Sequence, residues 1–132
     1  MERIVLTNNP LIIEEMKKKK KDKNLICENT YAQVLGKCEN LLLEGWHFEV
    51  DPLGGYHFRP NPYHTIFLVK SCGDQKWSAV REWDAMNGMK MDFFRNQPFL
   101  EKYNKDYQLK DYQTMDYSIA IRSLERLEEL YS

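Results

Sequence analysis

The sequence predicts one α/β domain over residues 1–132, with three layers (α/β/α) around a mainly parallel, Rossmann-like sheet of about four strands. Three observations lead there. Short apolar runs alternate with amphipathic helical stretches in the order strand, helix, strand, helix, strand. The first run, Arg3-Ile4-Val5-Leu6-Thr7, has three successive apolar residues, which suits a strand covered on both faces. With 132 residues and 42% hydrophobic content, the chain is long enough to bury a core without staples.

The first strand stops at Asn8-Asn9-Pro10. Asn9 is a good cap for free amides and Pro10 suits the first helical position, so a helix begins here. Glu14 and Glu15 lie early in it and Lys17 to Lys21 late, which complements the helix dipole. The lysine run is read as a solvated helix end passing into a loop, in preference to a phosphate-binding patch. Asn24-Leu25-Ile26-Cys27 is a second short strand. Thr30-x-x-Gln33 then has the form of a capping box. Tyr31, Val34, Leu35, Cys38, Leu41 and Leu42 form one stripe of the helix it opens, and Gly45 ends that helix.

The third strand, Trp46 to Val50, alternates Trp46, Phe48 and Val50 with His47 and Glu49, as a half-buried edge strand does. Asp51-Pro52-Leu53-Gly54-Gly55 is a turn, and Tyr56 to Arg59 a short returning arm. Thr65 to Val69 is the strongest strand signal and is expected at the sheet centre. Asp74 would cap a further helix with Trp77, Val80, Trp83, Met86, Met89 and Phe93 on one side, bent or split at Gly88. A short helix near Phe99–Tyr103 and an edge strand at Tyr107–Leu109 follow. Tyr117, Ala120, Ile121, Leu124 and Leu127 mark a final helix.

Composition excludes several functions. The net charge of -1, from 19 basic and 20 acidic side chains, gives no general attraction to nucleic acid or anionic membrane. No apolar run approaches the roughly 20 residues of a membrane span, and the N-terminus lacks the pattern of a signal peptide. Cys27, Cys38 and Cys72 match no zinc or thioredoxin spacing and read as reduced thiols of a cytoplasmic protein. His47, His57 and His64 include no pair that would fix two ligands on one element, so no metal is expected.

In an open α/β sheet, ligands bind at the carboxyl ends of the strands. Two loops would lie there: Thr7-Asn8-Asn9 after the first strand and Asp51 to Gly55 after the third. The first offers hydroxyl, amide and helix N-terminal groups, and Gly54 and Gly55 permit close approach to the backbone. Either reading, ligand loops or plain cap and turn, fits these residues. The candidate ligand-binding set is therefore Thr7, Asn8, Asn9, Asp51, Gly54, Gly55 and His64, the last also the best-placed acid or base. No nucleophile elbow, Walker loop or dinucleotide fingerprint occurs, and no catalytic residue or cofactor is assigned.

Leu6-Thr7-Asn8-Asn9-Pro10-Leu11, then Pro52-Leu53-Gly54-Gly55, Pro60-Asn61 and Pro62-Tyr63-His64-Thr65-Ile66, resemble in order and spacing the GrdX family. These are small proteins encoded beside the glycine reductase system of amino-acid-fermenting anaerobic bacteria. The likeness covers the first half, with a Tyr107-Gln108-Leu109 echo later. Asp51 stands where the family commonly has a histidine, and the loop between Gly55 and Tyr63 differs in length. The resemblance implies a cytoplasmic bacterial protein linked to glycine, sarcosine or betaine reduction, and it supplies no reaction. The leading expectation is a non-catalytic accessory protein that binds a ligand or a partner such as a reductase component. The alternative is a small enzyme acting on an anionic or nucleotide-like metabolite at the strand ends. Eight tyrosines and three tryptophans are compatible with a homodimer.

Overall fold

The architecture follows from how the chain travels between strands. In the computed structural model, which describes residues 2–21, 23–52, 61–70, 78–102 and 106–131, eight elements follow one another. They are β1 (Glu2–Thr7), α1 (Pro10–Lys18), β2 (Leu25–Cys27), α2 (Tyr31–Leu43), β3 (His47–Phe48), β4 (Thr65–Lys70), α3 (Ala79–Lys102) and α4 (Asp106–Tyr131). The strands form one sheet in the order β2-β1-β4-β3. β1 and β2 are parallel, while β4 runs antiparallel to both of its neighbours, β1 and β3.

The sheet is thus mixed and mostly antiparallel, which corrects the mainly parallel, Rossmann-like expectation. The cause is one connection. Helices carry the chain from β1 to β2 and from β2 to β3, so these three strands point the same way. The stretch between β3 and β4 contains Pro52, Pro60 and Pro62, which oppose a continuous helix. The antiparallel pairing of β4 with β3 is the kind made when a strand returns beside its predecessor instead of crossing over the sheet. β4 therefore fills the place between β1 and β3, and its start meets the end of β1, with Thr65 opposite Thr7. The central position expected for Thr65–Val69 holds, as does the edge position of β3.

Alternation along the strands sorts the core into two halves. Ile4, Leu6, Ile66 and Leu68 meet Val34, Leu35, Cys38 and Leu41 of α2 and Ala85, Met86 and Met89 of α3 on one face. Val5 and Phe67 meet Ile12 and Met16 of α1 and Ala120 and Leu127 of α4 on the other. This is the expected three-layer arrangement. The first two predicted helix starts are present, while Asp74 lies outside the described residues. The Asn9 side chain accepts from Leu11 N–H with Pro10 at the first position, and Thr30 and Gln33 form a reciprocal capping box.

Several boundaries differ from expectation. Only His47–Phe48 of the third strand pairs with β4. The stretch through Gly88 is one helix, which continues to Lys102. Val80 is 72% exposed instead of facing inward. Tyr107–Leu109 belongs to α4 and not to an edge strand. Helix formation is cooperative, and of these three residues only Tyr107 favours a strand, while Gln108 and Leu109 are good helix formers. The Tyr56–Arg59 arm lies outside the described residues. Among the described residues, no helix is long and apolar enough to cross a membrane.

A side chain of α3 reaches the side of β3 that faces away from β4. Glu82 of α3 is buried at 4% exposure, one helical turn before Met86 on the inward stripe. One carboxyl oxygen accepts Phe48 N–H at 2.8 Å and the other pairs with His47 Nδ1 at 2.7 Å. A strand amide that points away from β4 is thus bonded by a side chain of α3. Glu82→Ala should lower unfolding free energy in urea by about 2–3 kcal/mol, because the buried Phe48 amide loses its acceptor. Glu82→Gln, which keeps an amide oxygen for that N–H, should cost clearly less; equal losses would mean that this bond is not what Glu82 contributes.

Candidate functional site

The polar residues of the chain gather at one end of the sheet because its strands stop there together. β1 leaves its apolar run at Thr7, and β4 enters at Thr65 directly across from it. Alternation puts Thr7 and Thr65 on the face covered by α1 and α4. His64 falls on the opposite face, under α2.

The two threonines are joined, Oγ1 to Oγ1 at 2.8 Å, and both are buried. Thr65 Oγ1 donates to Asp116 Oδ2 of α4 at 2.7 Å. A hydroxyl has one proton, so Thr7 must be the donor in the bond to Thr65. Thr7 Oγ1 in turn accepts Asn9 N–H at 3.0 Å. The Asn9 side-chain amide donates to the same Asp116 Oδ2 and to the Gln113 carbonyl, each at 2.9 Å. The result is a closed ring of directed bonds, from the Asn9 amide through Thr7 and Thr65 to Asp116 and back to Asn9. Asp116, Asn9 and Thr7 are all fully buried, where an unbonded polar group would cost about 1–3 kcal/mol.

A second set of bonds fixes the segment entering β4. Asn8 Nδ2 donates to the Pro62 carbonyl and Asn8 Oδ1 accepts His64 N–H, both at 2.8 Å. Asn61 Oδ1 accepts Tyr63 N–H at 2.9 Å, and Asn61 Nδ2 donates to the Tyr112 carbonyl of α4 at 3.0 Å. Gln113 Nε2 donates to the Tyr63 hydroxyl at 3.0 Å. Asn61 to Thr65 is thereby held by β1 on one side and α4 on the other.

On the opposite face, the His64 ring meets Tyr31 edge-on at 5.3 Å, and Tyr31 stacks on Phe93 at 5.3 Å. Burial pushes His64 down to about 4; nearby Asp116 and the Pro52 backbone act the other way without offsetting it. Burial also holds the Tyr31 hydroxyl above its ordinary value, helped by Asp92 and Asp116. Cys38 is pushed up to about 12 by burial, which fits its reading as a core residue and not a nucleophile.

A cleft opens beside the ring, between the start of the second loop and α4. Val50, Asp51, Pro52, Thr65, Phe67, Asp116, Ile119, Ala120 and Ser123 line it. Its free volume is about 20 Å³, room for about one water molecule. Of the candidate ligand residues, Asp51 lines this cleft, and Thr7 lies behind it through Thr65. Asn8, Asn9 and His64 are buried and bonded within the protein. Gly54 and Gly55 lie outside the described residues, as do His57, Cys72, Asp74 and Trp77. His47 is not brought to His64; it pairs with Glu82 at the sheet edge. Among the described residues no group of three or more His, Cys, Asp or Glu side chains is placed to hold a metal.

Asp116 was absent from the residues singled out in the sequence. A signal for it exists, because it lies one turn before Ala120 on the inward stripe of the last helix. A charge on an apolar stripe marks a buried partner, and Glu82 before Met86 carries the same mark. Gln113 and Tyr112 contribute backbone carbonyls, which no side-chain pattern announces.

The fold and its polar sheet end define a small mixed α/β protein whose strand-end residues are engaged mainly with one another. No curated protein and no solved structure matches the chain. The family model described as GrdX-like protein matches residues 4–125, nearly the whole length, and the chain belongs to that family.

Unfolded His64 takes a proton near its ordinary 6.5 and folded His64 only near 4. Between these values the unfolded state binds more protons, so stability falls as pH drops, by roughly 3 kcal/mol in all, and the effect levels off below 4. Urea titrations across that window should show the loss in the wild type and a shallower one in His64→Gln. Parallel curves would show that His64 is not the group responsible.

Proposed function

We propose that this GrdX-like protein is a non-catalytic accessory protein that works by binding, in association with a glycine, sarcosine or betaine reductase system in the bacterial cytoplasm. One observation carries the non-catalytic part. The polar groups at the strand ends, where an α/β enzyme would hold its substrate, are consumed in the ring that closes on Asp116. Among the described residues, the cleft beside them has a volume of about 20 Å³. The family supports the link to the reductase system through the resemblance described above.

A small-molecule reading has one observation in its favour, the cleft itself. Asp51 and Ser123 line it among apolar walls, with Thr65 and Asp116 beside them already bonded in the ring. Such a lining suits an amine or another donor group better than the anionic or nucleotide-like ligand of the enzyme alternative.

Purified protein should co-isolate with one or more reductase components and show no turnover of glycine, sarcosine or betaine alone. In thermal-shift titrations, nucleotides and phosphate should leave Tm unchanged, while an amine that occupies the cleft would raise it. Robust turnover of any of these compounds, or a large shift with nucleotides, would contradict the accessory reading.

A further inference from the structure

The C-terminal turns of α1 and α2 are the same hydrogen-bonded device made from different residues. In α2, Gly45 N–H donates to the Leu42 carbonyl at 3.2 Å and Trp46 N–H to the Leu41 carbonyl at 3.0 Å. Gly45 has a φ of 98°, the left-handed conformation this turn requires. In α1, Lys20 N–H donates to the Lys17 carbonyl at 3.1 Å and Lys21 N–H to the Met16 carbonyl at 2.8 Å. Here the left-handed position, with a φ of 56°, is taken by Lys20. No other non-glycine residue among those described has a positive φ. Glycine is the usual residue at this position, because a side chain there crowds the backbone.

Lys20 stands in a cluster of charge. Lys17, Lys18, Lys19, Lys20, Lys21 and Lys23 are all exposed. Lys19 pairs with Glu15 and Lys21 with Glu128. Lys17, Lys18, Lys20 and Lys23 have no carboxylate within ion-pair distance among the described residues. The negative end of the α1 dipole accounts for Lys17 and Lys18 in its last turn. It does not account for Lys20, which lies past that turn in a backbone conformation that glycine would adopt more easily. A strained residue with an exposed charge is a mark of function when local stability would favour another choice.

We propose that the Lys17–Lys21 turn is a docking surface for an acidic segment of a partner protein. This deepens the accessory reading and rests on it. A protein segment fits better than nucleic acid because the basic surface is short. Next to it α4 presents Glu125, Glu128 and Glu129, and Glu125 acts on Tyr117 together with Glu15 and Lys19 of α1. A phosphate backbone continuing past the turn would run onto these carboxylates, whereas a compact acidic segment needs only the turn. The overall charge of -1 also makes the patch a local excess and not part of a basic protein.

The test uses the full chain with a labelled Asp/Glu-rich peptide and a labelled single-stranded DNA in fluorescence anisotropy. The peptide should bind more weakly as salt is raised. Lys20→Gly should raise Tm while weakening peptide binding by about threefold. The pair Lys17→Glu with Lys20→Glu should weaken it by at least about tenfold. Unchanged peptide affinity in both variants, or tighter binding of DNA than of peptide, would overturn the proposal. Co-isolation of reductase components by Lys20→Gly and the double variant at wild-type levels would overturn the docking surface alone. Failure of wild type to co-isolate any component would instead count against the accessory reading.

Discussion

The structure depends on a buried carboxyl group, Asp116, and on what is brought to it. A carboxylate without solvent is tolerable only when donors surround it, and the two donors described, Asn9 and Thr65, are both distant in sequence. Asn9 is 107 positions away and Thr65 is 51. Satisfying Asp116 therefore requires that the end of β1, the start of β4 and the middle of α4 be in place together. Apolar packing of α4 on Val5 and Phe67 supplies contact but little direction. The ring of bonds supplies the register. It ties Thr7 to Thr65 at the strand ends.

The same logic recurs at the sheet edge. Glu82 holds the Phe48 amide and His47, and the Arg3 guanidinium spans β4 to reach the buried Glu49 carboxylate at 2.8 Å. In each case an acidic side chain from one element satisfies groups of another. These contacts fix how helices and strands dock in a sheet whose β3 is only His47–Phe48. Such short strands carry few ladder bonds of their own, so side chains complete them.

Much of this was legible in the sequence, and the reasons differ by element. The Asn9-Pro10 and Thr30-x-x-Gln33 starts were readable because capping is local chemistry, complete within four residues. The stripe from Tyr31 to Leu42 was readable because burial of one helix face imposes its period. The central place of Thr65–Val69 followed from its continuous apolar run. Strand direction was not readable at β4, because it depends on whether a crossover helix precedes it, and the alternation of elements suggested a uniform pattern. The site was half legible. Thr7, Asn8, Asn9 and Asp51 do lie at the strand ends, and Asp51 lines the cleft. That the first three bond within the protein could not be seen, because their partners come from α4 and from the segment before β4. Asp116 was missed although its place on the stripe marked it.

Thr7 and Asp116 belong to one directed network, joined on one side through Thr65 and on the other through Asn9. A double-mutant cycle in urea unfolding with Thr7→Val and Asp116→Asn tests this most directly. The account predicts that the two losses are non-additive, with a coupling of about 1 kcal/mol. Losses that sum within about 0.3 kcal/mol would show that the ring is two separate contacts and not one network.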